Sequence, residues 1–159
     1  MSDRKESKPG RRNGKAPRRA VSLVYSVLIG MAMSLAWGLL SDALRLESLF
    51  PAESVRQMFA RSMAVQIALY GFLAPAAEEI VFRKLLFDLA VRYLPEWAAA
   101  VAVSALFAIW HGNVLQMLYA FPAGLILQAV RSEGGRMEDP IACHISANLT
   151  AIAVTWLQR

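Results

Sequence analysis

Residues 66–89 read QIALYGFLAPAAEEIVFRKLLFDL, a run apolar enough to cross a membrane except that Glu78, Glu79 and Arg83 stand inside it. Helix packing gives no reason for these three residues. On lenient insertion scales a central Asp, Lys or Arg costs roughly 2.5–3.5 kcal/mol, so an intramembrane acid pair marks a functional site by default. The stretch therefore sets both the fold class, a membrane helix, and the place where chemistry is to be sought.

Working outward, the chain is 159 residues long and 57% hydrophobic, with its apolar residues in blocks. A block of about 20 residues spans a bilayer as a helix, whereas barrel strands of about 10 alternating residues are absent from the pattern. The expected fold is all-α, a polytopic transmembrane helical bundle of about five spans. The tail at 1–20 alone carries +6 against +5 for the whole chain, since Arg4, Lys5, Lys8, Arg11, Arg12, Lys15, Arg18 and Arg19 face only Asp3 and Glu6. A basic tail against a span reads as a cytoplasmic N-terminus able to attract anionic lipid, rather than as a nucleic-acid-binding arm. The block at 21–40, VSLVYSVLIGMAMSLAWGLL, is longer than the roughly 7–15 residues of a cleaved signal core, so it reads as a retained first span. The single cysteine, Cys143, excludes an internal disulfide framework.

The stretch 41–61 balances Asp42, Glu47 and Glu53 against Arg45, Arg56 and Arg61, which suits a non-cytoplasmic loop carrying a short amphipathic helix. Pro75 removes a backbone hydrogen bond one turn before Glu78 and is expected to kink the second span. That span leaves the membrane among Lys84, Asp88 and Arg92 and turns at Leu94 and Pro95. Third and fourth spans follow at 97–110 and 114–130, separated by His111, Gly112 and Asn113. A polar link at 131–139 ends on Asp139 and Pro140, which read as an N-cap and first helical residue of a fifth span at 141–157. Trp37, Trp97, Trp110 and Trp156 fall near span ends and are expected to anchor at the membrane interface.

Glu79 and Arg83 have the i, i+4 spacing and order of a helical ion pair, which leaves Glu78, about 100° around the helix, as the carboxylate without a local partner. Both histidines of the chain, His111 and His144, lie in apolar blocks, and Asn148 shares a helix face with His144. A carboxylate, two imidazoles and an amide from three helices suit a water-activating centre, built around a metal or working by acid-base chemistry alone. No H-E-x-x-H occurs, which disfavours a zincin-like site, and no serine has the setting of a nucleophile elbow. Cys143 beside His144 is a minor nucleophile candidate, because adjacent helical residues diverge.

The ordered motifs E-E-x-x-x-R (Glu78, Glu79, Arg83), F-x-x-x-H (Phe107, His111) and H-x-x-x-N (His144, Asn148) resemble those of the CAAX-protease and bacteriocin-processing family, CPBP or Abi. The resemblance covers 73–156 as a motif core within a protease domain at 21–159. It implies an intramembrane endopeptidase in which Glu78 activates water with help from His111. His144 and Asn148 would stabilise the oxyanion or orient the water, and Glu79 and Arg83 would support them. It leaves the cofactor open: a divalent metal such as zinc held by Glu78, His111 and His144, or none. The expected partners are the lipid bilayer and a membrane-anchored protein or peptide substrate, with no nucleic acid. About five spans and short loops point to a bacterial inner-membrane enzyme that processes precursors or trims C-terminal tails, rather than one acting on eukaryotic CAAX proteins. Two other classes use the same residues: a non-catalytic binding or immunity protein that keeps the pocket, and a small transporter or proton relay.

Depth sets a condition on this site. Counted from Pro95, Glu79 and His111 are each 16 residues away and share a level. His144 lies only about 6 Å inside the expected fifth span, while His111 is about 24 Å from its turn. The site requires either that the hairpin at Pro95 projects beyond the bilayer or that the link at 131–140 dips inward.

Overall fold

The computed structural model describes residues 16–158; of the expected basic tail, residues 1–15 lie outside them. Among these residues seven helices run in chain order: α1 (Ala16–Ala43), α2 (Leu46–Leu49), α3 (Glu53–Phe59), α4 (Met63–Ala90), α5 (Glu96–Trp110), α6 (Val114–Gly134) and α7 (Glu138–Leu157). Among the described residues no strand occurs. Ser22–Ala43 of α1 and the whole of α4, α6 and α7 are long and apolar enough to cross a membrane. The protein is a helical membrane bundle. The helix expected as the third span, α5, has only 15 residues, about 22 Å at 1.5 Å per residue against a hydrocarbon core of about 30 Å. His111 closes it as the C-cap, Gly112 takes a left-handed φ of 72°, and the Asn113 side chain accepts from the Gln116 amide at 2.9 Å to start α6.

Small residues let the helices approach closely where hydrocarbon supplies no hydrophobic drive. A Cβ at Gly30 of α1 would collide with the Cys143 carbonyl and the Ser146 hydroxyl of α7. At Gly124 of α6 a Cβ would lie 3.0 Å from that of Ser104 on α5. The main core fills the space between α4, α5 and α6 with Phe82, Phe87, Val103 and Phe107 packed against Ala99 and Ala120. A second cluster, Leu46, Ala52 and Leu115 with Trp37 and Val55 against them, folds α2 and α3 over the start of α6.

α4 runs on through Pro75, where wide π-type turns over Gln66–Leu73 and Ile80–Leu86 flank a regular segment, Ala74–Glu79. The fifth span begins at Glu138 with Met137 as its N-cap, so Asp139 is not a cap but a buried residue of the first turn against Gly134. An acid at either position suits the positive helix end, and a proline is tolerated anywhere in the first turn, so sequence alone did not separate the two registers. Trp97 and Trp110 are exposed, but Trp37 stacks on Tyr119 with centroids 5.4 Å apart and Trp156 donates to Gln66 Oε1 at 3.2 Å. These two indoles tie helices together.

Gly30→Ala is expected to destabilise the protein by about 1–3 kcal/mol, since its methyl meets backbone that must move. Gly38→Ala, with nothing within 4 Å of the new Cβ, should leave stability unchanged or slightly raised. Thermal unfolding of the two variants in detergent checks the pair; equal losses would contradict the close α1–α7 contact.

Candidate active site

The regular segment of α4 carries the acid pair between its two wide-turn stretches, and the two carboxylates point to different surroundings. Glu79 is fully buried: its Oε2 lies 3.3 Å from Arg83 Nε, and its Oε1 lies 2.8 Å from His144 Nδ1. Arg83 is equally enclosed, its guanidinium 4.5 Å from the centre of the Phe107 ring and its Nη2 donating to the Gly124 carbonyl at 3.1 Å. An ion pair out of water persists only where each charge keeps close partners, and here a cation, an imidazole, an aromatic face and a backbone carbonyl supply them.

Paired with Arg83, Glu79 is a carboxylate that can only accept, so His144 donates Nδ1–H to it. That bond fixes the imidazole and turns Nε2 toward Glu78, whose Oε2 is 3.8 Å away. His111 is fixed by the same logic. Its Nδ1–H donates to the Phe107 carbonyl at 2.8 Å, so in the neutral ring Nε2 carries the lone pair. Phe107 stands edge-on to both imidazoles, with centroids 4.9 Å from His111 and 5.7 Å from His144. His144 thus meets both Phe107 and Glu79. The longer α7 places it six residues from the helix start at Glu138, about 9 Å, and the link contracts to the turn after Gly134. The earlier start of α7 narrows the mismatch in depth.

Asn148 is held by an orphaned carbonyl. In the wide turn before Pro75 the Ala74 N–H bonds to the Leu69 carbonyl, five residues back. The next carbonyl in that register, Tyr70, would need the N–H of Pro75, which proline lacks. Asn148 Nδ2 fills the gap, donating to Tyr70 O at 2.8 Å. One amide hydrogen is thereby committed to positioning and the other remains. The helical spacing of His144 and Asn148 is legible in sequence, but this partner is not.

Glu78, His111, His144 and Asn148 line one cavity of about 700 Å3, bounded by α1, α4, α6 and α7, with α2 and α3 over its wide end. Glu79 and Arg83 lie behind its wall. Cys143 does not line it; the thiol is buried. Each imidazole has Nδ1 held by a protein oxygen and Nε2 free, but among the described residues no three His, Cys, Asp or Glu side chains converge to hold an ion. Sequence reading missed Phe107 as the spacer between the imidazoles, for which its place four residues before His111 was the available signal. It also missed Trp37 and Tyr119 as cavity wall, which had no signal beyond apolar periodicity.

A family model described as type II CAAX prenyl endopeptidase Rce1-like matches residues 60–150, more than half the chain and a stretch holding every residue of this constellation. The chain belongs to the Rce1-like family. Members are proteases, so the protein is a multi-pass intramembrane endopeptidase in general class. No curated protein and no solved structure matches it.

In this Rce1-like chain, Arg83→Met is expected to cost about 3–5 kcal/mol, because it strands a buried carboxylate. Arg83→Met combined with Glu79→Gln should recover a large part of that loss. Denaturant unfolding of the single and double variants gives the coupling; simple additivity would show that the pair is not interacting.

Proposed function

We propose that the protein hydrolyses a peptide bond in a membrane-associated polypeptide, with Glu78 as the base that activates water. The observation that carries this reading is the division of labour between the two carboxylates: Glu79 is consumed by Arg83 and His144, whereas Glu78 is half-buried and opens on the cavity. A water held there donates one hydrogen to Glu78 and the other to the His111 Nε2 lone pair, which aims its own lone pair at a substrate carbonyl. As the C–O bond forms, the water proton passes to Glu78. The tetrahedral oxyanion is met by the free amide hydrogen of Asn148. Collapse breaks the C–N bond while the proton moves to the leaving nitrogen, directly from Glu78 or through His144 Nε2. An imidazolium at His144 is stabilised by Glu79, the service a buried carboxylate gives a catalytic histidine. Each of these groups is held before substrate arrives, which is what makes electrostatic stabilisation effective in a water-restricted site.

The reading places residues 21–159 as one protease domain behind the basic tail at 1–20, in a bacterial inner membrane with the N-terminus cytoplasmic. A cavity of about 700 Å3 lies within the ordinary range of ligand sites, roughly 300–1,000 Å3, and admits an extended segment rather than a folded helix. The substrate would therefore unwind locally, as in the processing of a precursor or the trimming of a C-terminal tail. No step is assigned to a metal, since the side chains are not arranged as ligands.

Glu78→Gln should lower turnover by about 10²–10⁴-fold, the usual worth of a general base, and still bind peptide. His111→Ala should lose turnover as well, and chelator should leave wild-type cleavage intact. Products from a membrane-anchored peptide library, read by mass spectrometry, decide the matter. Equal cleavage by wild type and Glu78→Gln would end this reading, and unchanged peptide capture without any product would favour a binding or immunity protein.

A further inference from the structure

The cavity has a closed end and an open one, and the helices fix which is which. Successive bonds between α7 and α4 order its depth: His144 to Glu79, then Asn148 to Tyr70, then Trp156 to Gln66. Beneath Glu78 the Phe82, Phe107 and Leu127 side chains are buried. A polar plug lies there too: Arg83 bonds to Gly124, and Arg131 bonds to the Arg83 carbonyl and to Asp88, at 2.6 Å for the latter. Above Tyr70 the lining instead runs out to Gly38, Asp42, Glu47 and Gln158, all exposed. The mouth is thus at the C-terminal ends of α1 and α7.

The same contacts locate the basic tail. Ser146 Oγ of α7 donates to the Val27 carbonyl, while farther along both helices Ser41 and Asp42 of α1 line the mouth with Thr155 of α7 and the adjoining Gln158, so α1 and α7 run parallel and both start at the plugged end. Residues 1–20, up to the first turns of α1, carry eight basic residues, and the plugged end adds Lys84, Arg92, Arg131 and Arg136. At the mouth end stand Arg45, Arg56 and Arg61, against Asp42, Glu47 and Glu53. No Lys or Arg lines the cavity. Clustered Lys and Arg beside spans stay on the cytoplasmic side.

We infer that the catalytic cavity opens to the non-cytoplasmic face of the membrane, so that its substrate is a polypeptide segment presented on that outer surface. Naming the occupant as substrate rests on the proteolytic reading above; the direction of opening does not. A cytosolic C-terminal tail could reach Glu78 only through the plug of Arg83, Arg131 and Asp88. A segment following a span that ends on the outer face needs only to bend into the mouth.

The test labels single cysteines in the full chain, expressed in spheroplasts with Cys143→Ala removing the native thiol, using a membrane-impermeant sulfonated maleimide. Gly38→Cys reports the cavity wall, where an added Cβ meets nothing within 4 Å. Asp42→Cys reports the rim and Arg92→Cys the opposite end. Expected is labelling of Gly38→Cys and Asp42→Cys in intact spheroplasts, and of Arg92→Cys only after permeabilisation. The inference is overturned by the reverse pattern, by labelling of Gly38→Cys only from the cytoplasmic side, or by a Gly38→Cys thiol unreactive from both sides. Because labelling needs no turnover, the expected pattern in a protein that yields no product would sink the proteolytic reading alone.

Discussion

Glu79 has no exposed surface, and the structure depends on how its charge is held. Removing a carboxylate and a guanidinium from water costs several kcal/mol each even after relaxation, so the pair must recover that from near neighbours. Those neighbours come from four helices: Arg83 from α4 itself, His144 from α7, the Phe107 ring from α5 and the Gly124 carbonyl from α6. Satisfying one buried charge therefore fixes the mutual position of four helices. Gly124 takes part twice, since its missing Cβ lets α5 approach through Ser104 while its carbonyl meets Arg83. A charged group that looks expensive in the sequence is thus the element that gives the bundle a single arrangement, a role packing among apolar helices in hydrocarbon performs poorly.

Once Glu79 is fixed, the adjacent residue is directed elsewhere by helix geometry. Glu78 lies about 100° around α4 and meets the cavity instead of Arg83. The wide turns on either side adjust the helix without breaking it. In the first of them the absent N–H of Pro75 leaves the Tyr70 carbonyl bare, and Asn148 completes that carbonyl from α7. Gly71 in the same stretch gives Leu149 of α7 room to approach. A proline in one helix and an asparagine in another, 73 positions along the chain from Pro75 to Asn148, form one structural unit. Such π-type irregularities concentrate at functional sites, where they re-aim a side chain at small energetic cost.

Much of this was legible in the chain. Apolar block length gave the helical membrane class, and the i, i+4 order of Glu79 and Arg83 gave their ion pair, because both signals are local. The gathering of His111, His144 and Asn148 around Glu78 followed from motif order rather than from any local rule. What escaped was set by tertiary context. Asp139 and Pro140 carry the marks of a helix start, yet α7 begins a little earlier and Asp139 is buried against Gly134, a choice made by the α6–α7 turn. The contact of Trp37 with Tyr119 depends on where α6 packs against α1. The depth of His144 could not be read because it depends on where α7 begins and on Phe107 being its neighbour in place of His111.

The shortness of α5 links the fold to the chemistry. A helix of spanning length in that place would carry another turn or two of apolar residues past His111 and bury the imidazole in the bundle wall. Instead α5 stops at Trp110, His111 caps it, and Gly112 takes a left-handed conformation available to glycine at little strain. Asn113 then restarts the chain as α6 by accepting from the Gln116 amide. The result is an imidazole on the rim of a helix end, facing the cavity, with its Nδ1–H still tied to the Phe107 carbonyl one turn back. Helix ends leave backbone groups that need polar surroundings, and within a membrane such an end is tolerable only where it borders a water-filled cavity or is buried in protein. The truncated helix and the hydrated site thus require each other: the cavity makes an early helix end possible, and the early end opens His111 to the cavity.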